Sequence, residues 1–284
     1  TLARMWLTRS WQPFQFHNEY DQVLPYDECK KMGLYVHIPF CRTLCDFCPY
    51  CKVPYESERA NRYVENLLQE IRLVCTNHPK REVTSLYFGG GTPALLYQRL
   101  EEIIQELRRY FVITEGIGVE LHPSNVTIPV LQELRRAGVT KLSIGIQSFQ
   151  KKYQTLLGRS SVDYSAISAA LTKVPFETVS FDFIFALPGQ TISDLICDVD
   201  LAFQLGANQV ALYPFIDFSF TKSDVQAMKN PDKRKLLNEI TAYLAKNGCT
   251  RTSIWTFSNE KEACYSSMTR ENFLGFGCSA TTLL

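Results

Sequence analysis

The sequence predicts an α/β fold, a partial (β/α)6 barrel with an N-terminal extension and a truncated C-terminal region. Short apolar runs alternate with segments whose apolar residues recur at helical spacing, six times along the chain. The unusual residues fall just after the runs: a cysteine loop, a glycine triplet, His122, Gln147 and a Pro-Gly pair. Parallel strands joined by right-handed crossovers collect their chemistry at those carboxyl ends. Six units curl a sheet without the closure that eight achieve.

Residues 1–33 read as an extension carrying Trp6, Trp11, Phe14, Phe16, Tyr20 and Tyr26. Residues 34–38 form the first strand, and the cysteines follow it. A helix over 57–76 places Tyr63, Leu67, Leu68, Ile71 and Val74 on one face. The run 83–88 is a strand ending at Gly89-Gly90-Gly91. Residues 94–110 are a helix with Leu95, Leu96, Leu100, Ile103, Ile104 and Leu107 on its inner face. A strand at 118–122 leads to a helix at 127–137, stopped by Gly138. A strand at 141–146 leads to short helices over 149–157 and 163–173. A strand at 178–187 closes on Pro188-Gly189, and the helix 193–205 ends at Gly206. The sixth pair is a strand at 209–213 and a helix at 232–247, followed by Gly248. The domain division expected is 1–33 extension, 34–248 barrel and 249–284 the start of a C-terminal region.

The chain has 284 residues, 45% of them hydrophobic, enough to bury a sizeable core. Its net charge is +1, which calls for no basic face, so nucleic acid is not an expected partner. No apolar run approaches the ~18–20 residues of a bilayer span. No charged-then-apolar leader opens the chain, and a cytoplasmic location is expected. The chain opens on Thr1 and stops at Leu284, and it is expected to belong to a longer protein.

Ten cysteines are many for such a chain, and four crowd into residues 41–51. That crowding points to thiolates serving a metal in a reducing compartment, not to a disulfide framework. Cys41, Cys45 and Cys48 stand at the spacing C-x3-C-x2-C, which lets one short loop reach three corners of an iron–sulfur cubane. The fourth iron then keeps an open position for a chelating amino acid such as S-adenosylmethionine (SAM). A four-cysteine electron carrier or a zinc knuckle that includes Cys51 is the alternative, although the spacing suits neither.

Further motifs extend this pattern: Tyr35 to Phe40, Phe88-Gly-Gly-Gly-Thr-Pro93, Glu120-Leu-His-Pro123, Ser143-Ile-Gly-Ile-Gln147-Ser-Phe149, Leu157-Gly-Arg159, Phe181 to Thr191, and Leu274-Gly-Phe-Gly-Cys-Ser-Ala280. With them the chain resembles the radical SAM superfamily, and within it the branch of oxygen-independent coproporphyrinogen III oxidase. The resemblance implies a barrel of the radical SAM type, a 4Fe–4S cluster on Cys41, Cys45 and Cys48, and two molecules of SAM. It implies a flavodoxin- or ferredoxin-type electron donor. It assigns SAM binding to Gly89, Gly90, Gly91, Thr92, Glu120, Gln147, Arg159 and Asp182; Phe47, beside a ligand cysteine, and Tyr35, alternating with His37 on the first strand, are added as candidates from their own positions. It assigns a second SAM to Gly275, Phe276, Gly277 and Ala280. The oxidase branch carries a further cysteine two residues after its third; here that position is Tyr50, and the extra thiol is Cys51.

Under the resemblance the expected chemistry is reductive cleavage of SAM to a 5′-deoxyadenosyl radical. The first reading takes the second SAM as a methyl or methylene donor to an unsaturated carbon, giving methylation or cyclopropanation. The alternatives are a tetrapyrrole-modifying enzyme, of the coproporphyrinogen oxidase or anaerobic heme-degrading kind, and a heme chaperone. The expected substrate is small, apolar or planar, and unsaturated. No catalytic proton acceptor is singled out by the sequence.

Overall fold

The computed structural model describes residues 26–160, 162–221, 223–260 and 272–284. Six strands lie side by side in chain order and all run parallel: β1 (Gly33–Ile38), β2 (Leu86–Gly90), β3 (Ile117–Leu121), β4 (Lys141–Gln147), β5 (Thr178–Phe185) and β6 (Gln209–Pro214). Apart from β4, which alternates buried and half-buried residues, their apolar runs reflect burial on both faces.

The helices cover the outside with the stripes the sequence spacing requires. α1 (Ser57–Cys75) buries Ala60, Val64, Leu67, Leu68, Ile71 and Cys75. α2 (Tyr97–Tyr110) buries Leu100, Ile103, Ile104 and Leu107, and α3 (Ile128–Arg136) buries Leu131 and Leu134. The short α4 (Lys151–Leu156) and α5 (Tyr164–Lys173) follow β4, and the Asp163 carboxylate caps α5. A reciprocal Thr191–Asp194 capping box starts α6 (Ile192–Gln204). α7 (Asn230–Lys246) packs through Leu236, Ile240 and Leu244. No helix among the described residues is long and apolar enough to cross a membrane.

The structure departs from the sequence reading in three places. The expected strand 83–88 divides: Arg81–Val83 pairs with Phe111–Ile113 in a separate ribbon, and β2 begins at Leu86. The expected strand 178–187 ends at Phe185 because Ala186 turns into the left-handed region, φ +64°. The residues after 248 add three strands to the same sheet. The hairpin β7 (Thr250–Arg251) and β8 (Thr256–Ser258) lies antiparallel along β6. β9 (Phe273–Phe276) lies parallel along the free edge of β1, in the register Leu34–Leu274, Tyr35–Gly275 and Val36–Phe276. The sheet order is therefore β7-β8-β6-β5-β4-β3-β2-β1-β9. The Leu-Gly-Phe-Gly motif is thus a seventh parallel strand, and the tail after it folds back so that Phe273 bridges Leu283. Tyr26 and Met32, from the expected extension, belong to the main core; Trp6, Trp11, Phe14, Phe16 and Tyr20 lie outside the described residues.

Because β9 buries Leu274 completely, Leu274→Ala is expected to cost about 2–5 kcal/mol of unfolding free energy. Leu73→Ala on the exposed side of α1 should change it by no more than about 0.5 kcal/mol. Urea unfolding followed by circular dichroism compares the two.

Candidate active site

The predicted site residues gather at the carboxyl ends of the strands. Alternate residues of β1 turn to one face, so Tyr35 and His37 meet there, with the Tyr35 hydroxyl 3.1 Å from His37 Nδ1. The Tyr35 ring stacks on Tyr87 of β2, centroids 6.4 Å apart. Tyr87 donates to Glu120 Oε1 at 2.9 Å, and the backbone N–H of Gly90 donates to Oε2 at 3.1 Å. Asp182 of β5 accepts from the Ser143 and Ser180 hydroxyls. Tyr35, Gly89, Gly90, Glu120 and Asp182 thus share one polar mouth, walled by Tyr87 and Ser143. Below it a cavity of about 20 Å³ lies between Tyr87, Ser143, Asp182 and Tyr213.

The glycine triplet is shaped by its neighbours. A Cβ on Gly89 would meet Tyr35 and Glu120 at 3.0 and 3.1 Å, and one on Gly91 would meet the Phe40 carbonyl oxygen at 2.7 Å. Gly90 adopts φ +113° against the His37 ring. The strand end can therefore approach a ligand with its bare backbone.

The cysteine loop hangs above this mouth. Cys41, Cys45 and Cys48 are free, partly buried thiols. Thr92 Oγ1 lies 3.7 Å from Cys41 Sγ, and Arg159 Nη1 lies 3.9 Å from Cys45 Sγ. Lys52 Nζ donates to the Cys48 carbonyl at 2.5 Å. Burial raises the pKa of the Cys41 and Cys45 thiols, Thr92 and Arg159 respectively oppose it, and the neighbouring thiols add to it. The three sulfurs are not grouped within 4.8 Å of one another, the span of a single ion. Three separate soft donors beside a cation fit an iron–sulfur cubane better than one zinc ion.

Arg159 also donates to the Gly145 carbonyl at 2.6 Å. β4 carries an irregularity between Gly145 and Gln147, and Gln147 adopts φ +71°, which turns its side chain over Gly145. His122 caps the short turn Pro123–Asn125; burial and then the Arg159 charge lower its pKa to about 4, so it stays neutral. Phe47 packs on Tyr153, Leu157, Ile184, Leu187 and Phe215, at the ends of β5 and β6. Gly275 lies beside Tyr35, and Gly277 lies over the His37 carbonyl. The Phe276 ring is buried in the main core, which leaves only its backbone to a ligand. Ala280 closes the turn after β9 through its N–H to the Gly277 carbonyl.

Sequence reasoning passed over Tyr87 and Tyr50. Tyr87 lies two residues before Gly89 on the same face of its strand, a period-of-two signal that could have found it. Tyr50 extends from the loop as an exposed side chain close enough to the mouth to sense its charges. Burial there, then the charges of Glu120, Cys48 and Asp182, raise its pKa.

Burial pushes Glu120 up to about 7 from the usual 4.5, and Tyr87 and Asp182 modulate the shift. Burial likewise lifts Asp182 from 3.8 to about 6. The folded chain then holds protons that the unfolded chain releases, so stability is greatest below the unfolded values and is lost as pH rises through 6 to 7. Unfolding free energy of the ligand-free protein is expected to fall between about pH 5 and about pH 8. Glu120→Gln should flatten that fall; equal slopes in urea titrations of the two proteins would contradict it.

The radical SAM superfamily model matches residues 35–202. The heme chaperone HemW of Lactococcus lactis subsp. lactis (strain IL1403) is 28% identical over 270 residues, covering 90% of this chain and 70% of its own. The oxygen-independent coproporphyrinogen III oxidase of Escherichia coli (strain K12) is 30% identical over 232 residues, covering 77% of this chain and 50% of its own. The solved structure of coproporphyrinogen III oxidase (HemN) from Escherichia coli, a radical SAM enzyme, superposes with a TM-score of 0.78 at 25% identity, covering 89% of this chain and 65% of that one. The chain therefore spans about half to seven-tenths of the length of these relatives. By its matched domain, its sheet and its cysteine loop, the chain belongs to the radical SAM superfamily, whose cofactors are a 4Fe–4S cluster and SAM.

Proposed function

We propose that this chain is the radical SAM body of a tetrapyrrole-modifying enzyme. One observation carries the radical chemistry: the Cys41, Cys45 and Cys48 thiols, flanked by Arg159 and Thr92, stand over a mouth floored by Glu120 and Asp182. When bound, the cluster and SAM supply a 5′-deoxyadenosyl radical. The chain's own residues bind and orient. In this reading Arg159 holds a SAM carboxylate, while Glu120 and the bare backbone of Gly89 to Gly91 take the amino group and ribose. Gln147, Asp182, Tyr35, Thr92 and Phe47 complete the pocket of this SAM. Gly275, Gly277 and Ala280, with the Phe276 backbone, are assigned to a second SAM beside β1. A flavodoxin- or ferredoxin-type protein is the electron donor in this reading.

The substrate class rests on the relatives, which are named for coproporphyrinogen oxidation and heme handling. Methyl or methylene transfer, the first reading of the sequence, has no support from them, and the tetrapyrrole alternative replaces it. A macrocycle of unsaturated pyrrole rings, planar in heme though not in a porphyrinogen, also agrees with the substrate type expected. A heme chaperone is the second reading, favoured because the HemW alignment spans 90% of this chain.

Anaerobic protein reconstituted with iron, sulfide, reductant and SAM is expected to form 5′-deoxyadenosine in proportion to added porphyrinogen or heme. The pigment should gain no label from methyl-labelled SAM. Tetrapyrrole-independent turnover with one-to-one heme transfer would move the assignment to the chaperone, and labelled pigment would exclude oxidase-type chemistry and leave methylation of the tetrapyrrole in its place. Replacing Cys41, Cys45 or Cys48 by Ala should remove most of the iron and lower 5′-deoxyadenosine by at least about 100-fold. Cys51→Ala should retain the iron.

A further inference from the structure

Cys51 and Cys278 are not among the expected cluster ligands, yet the fold brings them together. Cys51 lies in the loop beyond Cys48, and Cys278 lies in the turn after β9. His37 projects from β1 between them. One donor atom from each lies within 4.8 Å of the others, the only such group of three His, Cys, Asp or Glu residues among those described.

The backbone that carries these donors is pinned. The Tyr63 hydroxyl donates to the His37 carbonyl at 2.7 Å and accepts from the Cys278 N–H at 3.1 Å. The Glu70 carboxylate accepts from the Gly277 N–H at 3.1 Å. Gly277 adopts φ +91°, and a Cβ there would run into Tyr63, so the turn presenting Cys278 depends on glycine. His37 is 3% exposed, and its Nε2 lies 3.0 Å from the Cys51 carbonyl. Both thiols are exposed, so an ion can reach them from solvent.

We propose that His37, Cys51 and Cys278 form a second metal site that takes one thiophilic divalent cation of the zinc class, with its fourth position open toward solvent. Two thiolates and an imidazole are a soft donor set that disfavours magnesium or calcium. Bond lengths of about 2.3 Å to sulfur and 2.0–2.1 Å to nitrogen place donors on one zinc roughly 3.5–4 Å apart, so the set needs to close by only about 1 Å. Both thiols release protons to solvent, and their two negative charges neutralise the dication. His37 stays neutral: without the ion its Nε2–H donates to the Cys51 carbonyl and Nδ1 accepts from the Tyr35 hydroxyl, and when the ion replaces that carbonyl at Nε2 the ring proton moves to Nδ1, where the Tyr35 hydroxyl oxygen accepts it. No oxidant or reductant is required.

The test uses anaerobically reconstituted, iron-loaded protein equilibrated with Zn2+ and passed through a weak chelator. Elemental analysis is expected to find about one zinc per chain beside the cluster iron. Zinc-edge X-ray absorption should show sulfur and nitrogen neighbours. Cys278→Ser and, independently, Cys51→Ser should each weaken zinc retention by at least about 100-fold while iron content stays at the wild-type level. Failure of wild-type protein to hold zinc overturns the proposal, as does wild-type zinc retention in either variant. Loss of iron together with zinc in Cys51→Ser also overturns it, because Cys51 would then serve the cubane. A Cys51–Cys278 disulfide in anaerobically purified protein overturns it as well.

Discussion

β1 is the strand on which the arrangement depends. It holds two parallel ladders at once, to β2 on one side and to β9 on the other. It turns Tyr35 and His37 into the mouth and then runs directly into the cysteine loop. Neighbouring strands lie only about 4.7–4.9 Å apart, so whatever β1 presents must be accommodated by the facing strand ends. That is why glycines stand at those ends. Gly89 leaves room for the Tyr35 ring, Gly90 for the His37 ring and Gly91 for the Phe40 backbone. On the other side Gly275 lets the Thr281 backbone fold over β9. The same small residues that allow the sheet to pack also bare the backbone where a ligand would lie.

A second constraint is electrostatic. Glu120 and Asp182 face each other inside the barrel, and removal from water raises both toward neutrality. Hydroxyl donors from Tyr87, Ser143 and Ser180 satisfy the carboxylates without supplying a positive charge. The mouth is therefore short of one cation. Arg159 does not supply it, because its guanidinium is directed to Cys45 and the Gly145 carbonyl. A ligand carrying an ammonium and a sulfonium, as SAM does, would relieve the two buried acids, and its affinity should draw on that relief.

Much of the fold is legible in the sequence because the strands of an α/β barrel are buried on both faces and its helices on one. Five of the six strands announce themselves as apolar runs and β4 by alternation, and the helix stripes appear at the 3.6-residue period. Glu120 and Asp182 stand out only through the family resemblance, whereas the strand ends, and with them Cys41, Gly89, His122 and Gln147, follow from that rhythm. β9 does not. It spans Phe273–Phe276 and includes a glycine, so its strand propensity is low and its existence depends on β1. Tyr87 sits unmarked in an apolar run, one place from Phe88, which turns the opposite way into the core. Tyr50 and Cys278 carry no periodic signal. Their positions come from contacts between segments far apart in the chain, of which the Tyr63–Cys278 hydrogen bond is one.

Those long-range contacts also explain how a loop with little regular structure can present three thiols. Only Phe40–Cys41 and Val53–Pro54 pair within it. The rest is held from outside. Thr92 anchors it beside Cys41, and Arg159 beside Cys45. Lys52 ties its far end to the Cys48 carbonyl. Phe47, between Cys45 and Cys48, inserts into the small apolar cluster of Tyr153, Leu157, Ile184, Leu187 and Phe215. The loop is thus fastened to strand ends from β2 to β6. A chain that had formed β1 and the loop alone would have neither the apolar seat for Phe47 nor the guanidinium for Cys45. The sulfur geometry is therefore a product of the whole curled sheet, and it is assembled only when the strands after β4 are in place.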